Sequence, residues 1–161
     1  MRKSGARPLA SPTKILLAID PSKFSEAATQ AIVHRIKPQN TEVHVFTVVD
    51  LMDDFPDEKT DQRKTSQVND LRLGRLHAAS ELVERAAQLL RRAGFNASVG
   101  VAEGNPTTRI IEEAEQFGAD LIVVGSHGQK RFERALMGSV SEGVARYAPC
   151  SVEVVRTREQ P

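Results

Sequence analysis

The sequence predicts an α/β domain built around a mostly parallel β-sheet. Unbroken apolar runs that end in an acid or a glycine, at residues 14–20 and 120–125, are typical of strands buried on both faces. These runs alternate with stretches in which apolar residues recur at helical spacing. Five predicted strands and four helices fit within 161 residues, a length that suits one domain with a single sizeable core.

The first strand is followed by a helix whose limits are marked in the sequence. Apolar residues recur at helical spacing from Phe24 to Ile36, Ser22 is the expected N-cap, and Pro38 follows as a stop. Residues 43–49 are rich in β-branched side chains, which predicts the second strand.

The middle of the chain contains a polar stretch without a hydrophobic period, followed by a predicted helix and a predicted strand. Residues 50–70 are polar and show neither period, so we expect a long surface connection there. An apolar face at residues 76–90 predicts the second helix, and Gly94 has the position of its C-terminal signal. Residues 95–104 supply the third predicted strand.

The last part of the chain contains two further helices and two strands. Asn105 and Pro106 combine an N-cap with a first-turn proline, which predicts the start of the third helix. Residues 120–125 are the fourth strand. A last helix is expected at about residues 139–147, and residues 151–156 form the fifth strand.

Composition excludes several classes of protein. Apolar residues make up 40% and charged residues 27%, as in globular proteins, and the net charge of +1 gives no drive towards nucleic acid or an anionic membrane. No stretch approaches the roughly 20 apolar residues that a membrane span needs. Cys150 is the only cysteine, which excludes an intrachain disulfide and fits a reducing compartment. We therefore expect a cytoplasmic protein with no nucleic-acid or membrane partner.

The stretch GSHGQKRFERALMGS raises the question of a phosphate site. In open α/β sheets, ligands bind beyond the carboxyl ends of strands, where the strand order reverses. Asp20 and Gly125 both end predicted strands, so they share one crevice if those strands are neighbours. Gly125 and Gly128 can take backbone angles closed to other residues and can let a ligand approach the main chain. Gly138 and Ser139 open the last helix, and free amides at a helix N-terminus bind phosphate well.

A purely structural interpretation of the same stretch stays open on the residues alone. Ser139 and Glu142 fit a capping box, which needs no ligand, and Gly128 can simply turn the chain. The P-loop and dinucleotide-binding patterns are both absent. The G-x-x-G of KH domains is matched by GSHG, but here it follows a buried strand instead of joining two helices.

Together, these residues resemble the ATP-binding branch of the universal stress protein family. That branch carries G-x-x-G, nine residues, then G-[ST], which Gly125, Gly128, Gly138 and Ser139 match. The blocks KILLAIDPSKFSEAA, TVVD, EGNPTTRIIEEAEQFGADLIVVGSHG and APCSVEVVR are similar to family blocks in the same order. The resemblance covers residues 13–157, leaving a flexible extension at 1–12 and a tail at 158–161.

The resemblance implies both a fold and a ligand. The fold is an open five-stranded parallel sheet of order 3-2-1-4-5 with helices on both faces, Rossmann-like and of the adenine nucleotide alpha hydrolase-like type. The ligand is ATP or another adenine nucleotide, with or without Mg²⁺ or Mn²⁺. The implied contacts are the ribose or metal for Asp20, adenine for the Val48 backbone, and phosphates and ribose for Gly125, Gly128, Gly138, Ser139 and Val140.

The function implied by the resemblance is a nucleotide-dependent stress sensor or regulator. It would act through partner contacts and through a homodimer formed by the last strands. Two alternatives stay open: a weak ATPase or autokinase that uses the same pocket, and a dimeric interaction module that binds no nucleotide. Asp20 is the only acid placed at the crevice, and a lone loop histidine such as His127 is usually exposed, so we do not expect a dedicated enzyme.

Overall fold

The computed structural model describes residues 12–50, 62–128 and 137–157. Its five strands form one parallel sheet of order β3-β2-β1-β4-β5, which confirms the predicted fold class and strand order. The predicted extension and tail lie almost wholly outside the described residues, as does the middle of the glycine stretch. In chain order the elements are β1 (Thr13–Ala18), α1 (Lys23–Arg35), β2 (Thr41–Val49), α2 (Gln62–Arg92), β3 (Asn96–Glu103), α3 (Pro106–Phe117), β4 (Leu121–Gly125), α4 (Ser139–Tyr147) and β5 (Ser151–Val155).

The sheet is covered on both faces, which explains why its strands are apolar without alternation. Successive side chains of a strand point to opposite faces. Ile15 and Leu17 therefore pack in the cluster that includes residues of α1 and α2. Leu16 and Ala18 pack in the other cluster, with residues of α3 and α4. The two clusters sandwich the sheet and fix the faces from which the helices approach its edge.

The predicted helix caps at α1 and α3 are confirmed. The Ser22 hydroxyl accepts a hydrogen bond from the Ser25 amide at 3.3 Å, and the Asn105 side chain accepts one from the Thr108 amide at 3.0 Å. Gly118 ends α3 in the left-handed region, with a φ of 70°. The two caps are local signals, and each places the start of a helix as the sequence indicated.

The prediction of a surface connection over residues 50–70 was wrong in its second half, because α2 begins at Gln62. From residue 65 to residue 75 the side chains of α2 are exposed, except for the half-buried Val68. A helical segment whose side chains are mostly exposed buries no apolar face, so it shows no hydrophobic period. No described helix, including this 31-residue one, is long and apolar enough to cross a membrane.

Polar contacts fasten the first half of α2 to the carboxyl end of the sheet. The Arg72 guanidinium donates to both carboxylate oxygens of Glu103, at 2.7 and 2.8 Å. This hydrogen-bonded pair lowers the pKa of Glu103 below its ordinary value. Arg75 donates a longer bond, 3.4 Å, to the carbonyl of Asp50. These contacts hold α2 beside the ends of β2 and β3.

His44 is a largely enclosed titratable side chain between the sheet and α3, 12% exposed. Its Nδ1 lies 2.7 Å from the Ser98 hydroxyl, its Nε2 lies 3.0 Å from Glu113 Oε1, and its ring packs near Phe46 and Phe117. Burial lowers the pKa of His44 below 6.5, and the neighbouring Glu113 carboxylate offsets only part of this effect. The folded protein therefore disfavours the charged imidazolium.

We predict that His44 makes folding stability fall as the pH drops through about 6.5. Because its pKa is lowered in the folded state, the unfolded chain binds the proton first, and stability present at higher pH is lost on acidification. His44→Gln should therefore flatten the stability profile between about pH 7.5 and pH 5.5, measured by urea unfolding. His34→Gln, at an exposed position of α1, is the control. An unchanged profile in His44→Gln would contradict the prediction.

Candidate functional site

A cavity of about 920 Å³ opens at the carboxyl ends of β1, β2 and β4. This is the edge at which the strand order reverses, between β1 and β4. The volume is in the range of pockets that hold small ligands and cofactors. All seven residues predicted from the sequence line this one cavity: Asp20, Val48, Gly125, Gly128, Gly138, Ser139 and Val140.

Asp20 is held in place by a buried hydroxyl. Its amide donates to Ser25 Oγ at 2.8 Å, and that hydroxyl donates to Asp20 Oδ1, also at 2.8 Å. Ser25 is 6% exposed and Asp20 is half-buried, so the hydroxyl is shielded from water while the carboxylate lines the cavity. The second carboxylate oxygen, Oδ2, lies 2.9 Å from the point that a Cβ on Gly128 would occupy. The carboxylate thus reaches across from the end of β1 to the loop after β4.

Gly125 is required for space, and neither Gly125 nor Gly128 takes the left-handed backbone angles that are open to glycine. Among the described glycines, a positive φ occurs at residues 94, 104 and 118 only. A Cβ on Gly125 would lie 2.7 Å from the carbonyl carbon and the Cβ of Phe24, so α1 packs directly on the end of β4. Gly128 leaves room for the Asp20 carboxylate.

The N-terminus of α4 forms another wall of the cavity. Gly138 is the N-cap and makes no side-chain cap, while Ser139 is already the first helical residue. The predicted capping box was therefore wrong, and the Glu142 carboxylate instead accepts a hydrogen bond from Arg146 at 3.3 Å. The amides of the first turn have no capping side chain at a helix end that faces the cavity.

The two ends of the glycine stretch are tied together at the carbonyl of Ser126, which sequence reasoning missed. This carbonyl accepts the Gly138 amide at 2.7 Å and the Ser141 hydroxyl at 2.8 Å. His127, expected to be exposed, is half-buried: its ring packs 5.0 Å from that of Phe24 and its Nδ1 lies 3.0 Å from the Ser126 hydroxyl. The one sequence feature that could have indicated the role of Ser141 is its hydroxyl in the first turn of a predicted helix.

Val48 lies at the end of β2, two residues beyond Phe46, the last residue of β2 that pairs with β1. Its side chain is half-buried and packs against the cluster on the α3 and α4 face. Val48 thus packs on the core with its side chain and also lines the cavity.

Further residues of the cavity wall were not singled out in the sequence. Two cations of α2, Arg75 and Arg85, line it and can face an anionic ligand. Asn105 and Thr107, at the start of α3, line it as well. They were missed because α2 was recognised only by its apolar face and Asn105 only as a cap. In the described part of the chain, no three His, Cys, Asp or Glu side chains form a metal-binding group.

These features define a class of protein: a doubly wound α/β domain with a ligand-sized cavity at its topological switch point. The chain belongs to the universal stress protein family, whose model matches residues 12–156. A putative universal stress protein from Staphylococcus epidermidis is 33% identical over 149 residues, which are 91% of this chain and 86% of that protein.

Two solved structures show the same fold. Universal stress protein UspA from Lactobacillus plantarum is 25% identical, with a TM-score of 0.76, and the likeness covers 91% of this chain and 99% of that one. A universal stress protein family protein from Arabidopsis thaliana, solved with AMP bound, is 18% identical, with a TM-score of 0.67. That likeness covers 91% of this chain and 93% of the plant protein, and it shows the fold alone.

We predict opposite effects for alanine at two glycines. Gly125→Ala should destabilise the protein by roughly 1–3 kcal/mol, because the new Cβ overlaps the backbone of Phe24. Gly74→Ala should stabilise it by about 0.5–1 kcal/mol, because Gly74 lies inside α2 with nothing within 4 Å of the new Cβ. Urea unfolding measures both values. A Gly125→Ala protein as stable as the parent would contradict the packing described for this glycine.

Proposed function

We propose that this protein binds ATP or another adenine nucleotide in the cavity and acts as a nucleotide-dependent regulator in the stress response. The observation that carries the proposal is the convergence of three unlike groups on one cavity. These are the oriented carboxylate of Asp20, the strand end at Val48, and the helix N-terminus at Gly138 and Ser139. The AMP bound to the Arabidopsis relative supports an adenine ligand for this fold.

In this proposal, the phosphates bind at the N-terminus of α4. Amides that lack a capping side chain, together with the helix dipole, favour an anion at this position. The Ser139 hydroxyl and the backbone of Gly128 and Val140 add further donors in this proposal. Gly125 contributes indirectly, because its lack of a side chain allows α1 to close on β4.

In this proposal, Asp20 contacts the ribose or an accompanying metal ion. With Oδ1 held by Ser25, the carboxylate has a fixed direction and can accept hydrogen bonds from ribose hydroxyls. A carboxylate is also an oxygen ligand that Mg²⁺ or Mn²⁺ prefers, and such an ion usually bridges to nucleotide phosphates.

The proposal also includes a homodimer formed through β5. We propose the cytoplasm as the location of the protein. β5 pairs with β4 on one side, and no other described strand pairs with its second edge. Antiparallel pairing with a second copy would cover that edge. Only three residues separate the end of α4 from the start of β5, so α4 and this short segment connect the proposed phosphate site to the proposed dimer edge. This connection gives a bound nucleotide a direct route to partner contacts.

Calorimetric titration of nucleotide-stripped protein with ATP and Mg²⁺ tests the proposed ligand. We expect saturable binding at about one nucleotide per chain, with AMP bound and GTP bound more weakly. In the proposal, one cavity contacts both the phosphates and the base. AMP should therefore bind because it keeps the adenine and one phosphate, and GTP should bind more weakly because its base differs. The absence of heat and of thermal stabilisation at about millimolar ATP would reject the proposal.

Asp20→Asn tests the carboxylate with almost no change of shape. The amide oxygen of asparagine can still accept the Ser25 hydroxyl, but the negative charge is lost. ATP affinity should fall about tenfold or more, as expected for a hydrogen bond to a charged group. Asp120→Asn, next to the opposite end of β4, is the matched control and should bind ATP like the parent. Equal affinities for Asp20→Asn and the control would exclude Asp20 from the site.

A further inference from the structure

The pairing between β1 and β2 stops abruptly at the cavity. The last paired residues are Ala18 and Phe46, and the Ile19 amide donates to the Phe46 carbonyl at 2.9 Å. In a continued parallel ladder, the Val48 amide would donate to the Ile19 carbonyl, and the amide of residue 21 would donate to the Val48 carbonyl. Neither bond is formed within the described part of the chain.

Two side chains account for the missing bonds. The Thr47 hydroxyl donates to the Ile19 carbonyl at 2.6 Å, in the place of the Val48 amide, and Thr47 is only 5% exposed. Residue 21 is a proline, which has no N–H to give to the Val48 carbonyl. Between them, the Asp20 amide donates to Ser25 and turns the chain away towards α1.

The alternating direction of main-chain groups along β2 shows where the N–H and C=O of Val48 point. The Phe46 carbonyl faces β1, whereas the Val49 carbonyl accepts the Gly104 amide on the β3 side, at 3.1 Å. The N–H and C=O of one extended residue point to the same side, and the direction alternates along the strand. The N–H and C=O of Val48 therefore face β1, where the sheet ends and the cavity begins.

The family resemblance implies that the Val48 main chain contacts the base, and we propose that Thr47 and Pro21 keep its donor–acceptor pair out of the hydrogen bonding between β1 and β2, so that the pair stays available to the base. The inference rests on the proposed function and names residues that set its base preference. Adenine presents a ring-nitrogen acceptor beside its N6 donor, whereas guanine presents the acceptor O6 at the position of that donor. A neighbouring N–H and C=O therefore match adenine. Thr47 and Pro21 are positioning residues, because they act through Val48.

Thr47→Val tests the first of these residues, because valine keeps the shape and removes the hydroxyl. The Ile19 carbonyl then becomes available to the Val48 amide, and the amide is lost to the ligand. We expect affinity for ATP and AMP to fall about tenfold, the equivalent of one hydrogen bond, and the preference for ATP over GTP to shrink. Affinity for inorganic tripolyphosphate, which has no base, should stay within about twofold of the parent. Thr47→Ser keeps the hydroxyl and should retain the ATP affinity and the ATP-to-GTP ratio.

Pro21→Ala is an independent test that does not touch a buried residue. It supplies an amide that can donate to the Val48 carbonyl, so the ATP-to-GTP ratio should fall without loss of tripolyphosphate affinity. If Thr47→Val does not fold, an unchanged ratio in Pro21→Ala overturns the inference.

The remaining outcomes separate the inference from the proposed function. Parent-like ATP binding by a folded Thr47→Val, or equal losses of ATP and tripolyphosphate affinity, would overturn the inference alone. A parent protein that binds no adenine nucleotide would overturn both.

Discussion

The reversal of strand order between β1 and β4 is the constraint on which the rest of the site depends. Because the chain leaves these neighbouring strands towards opposite faces, a gap opens between their carboxyl ends. Two glycines then shape the gap: Gly125 lets α1 close on β4, and Gly128 lets Asp20 reach across. The cavity is thus a product of topology, adjusted at Gly125, where a methyl group would overlap the backbone of Phe24, and at Gly128, beside which the Asp20 carboxylate lies.

Buried hydroxyls form hydrogen bonds with main-chain groups at the strand ends around this gap. The Thr47 hydroxyl donates to the Ile19 carbonyl, just after β1, and the Ser141 hydroxyl donates to the Ser126 carbonyl, just after β4. The Ser25 hydroxyl accepts a hydrogen bond from the Asp20 amide. All three are less than 7% exposed. A buried main-chain group without a partner costs free energy, so these side chains stabilise ends that the sheet itself cannot satisfy. They also fix which main-chain groups remain for a ligand.

Much of the fold was predictable because its signals are local. Apolar runs and the caps at Ser22 and Asn105 need no tertiary context, whereas the strand order came from the family resemblance. The start of α2 was missed because an exposed helical segment has no apolar period. The capping box at Ser139 failed because capping depends on the start of the helix to within one residue, and the packing role of Gly125 was missed because sequence does not show what packs against a glycine.

The central claim is that one nucleotide spans the cavity from the end of β2 to the N-terminus of α4. An amide chemical-shift map of ¹⁵N-labelled protein titrated with AMP tests it most directly. We predict the largest shifts at Val48, Gly128 and the first turn of α4, and little change at the opposite end of the sheet, near Thr41 and Asp120. Shifts centred on that opposite end, or on the outer face of α2, would contradict it.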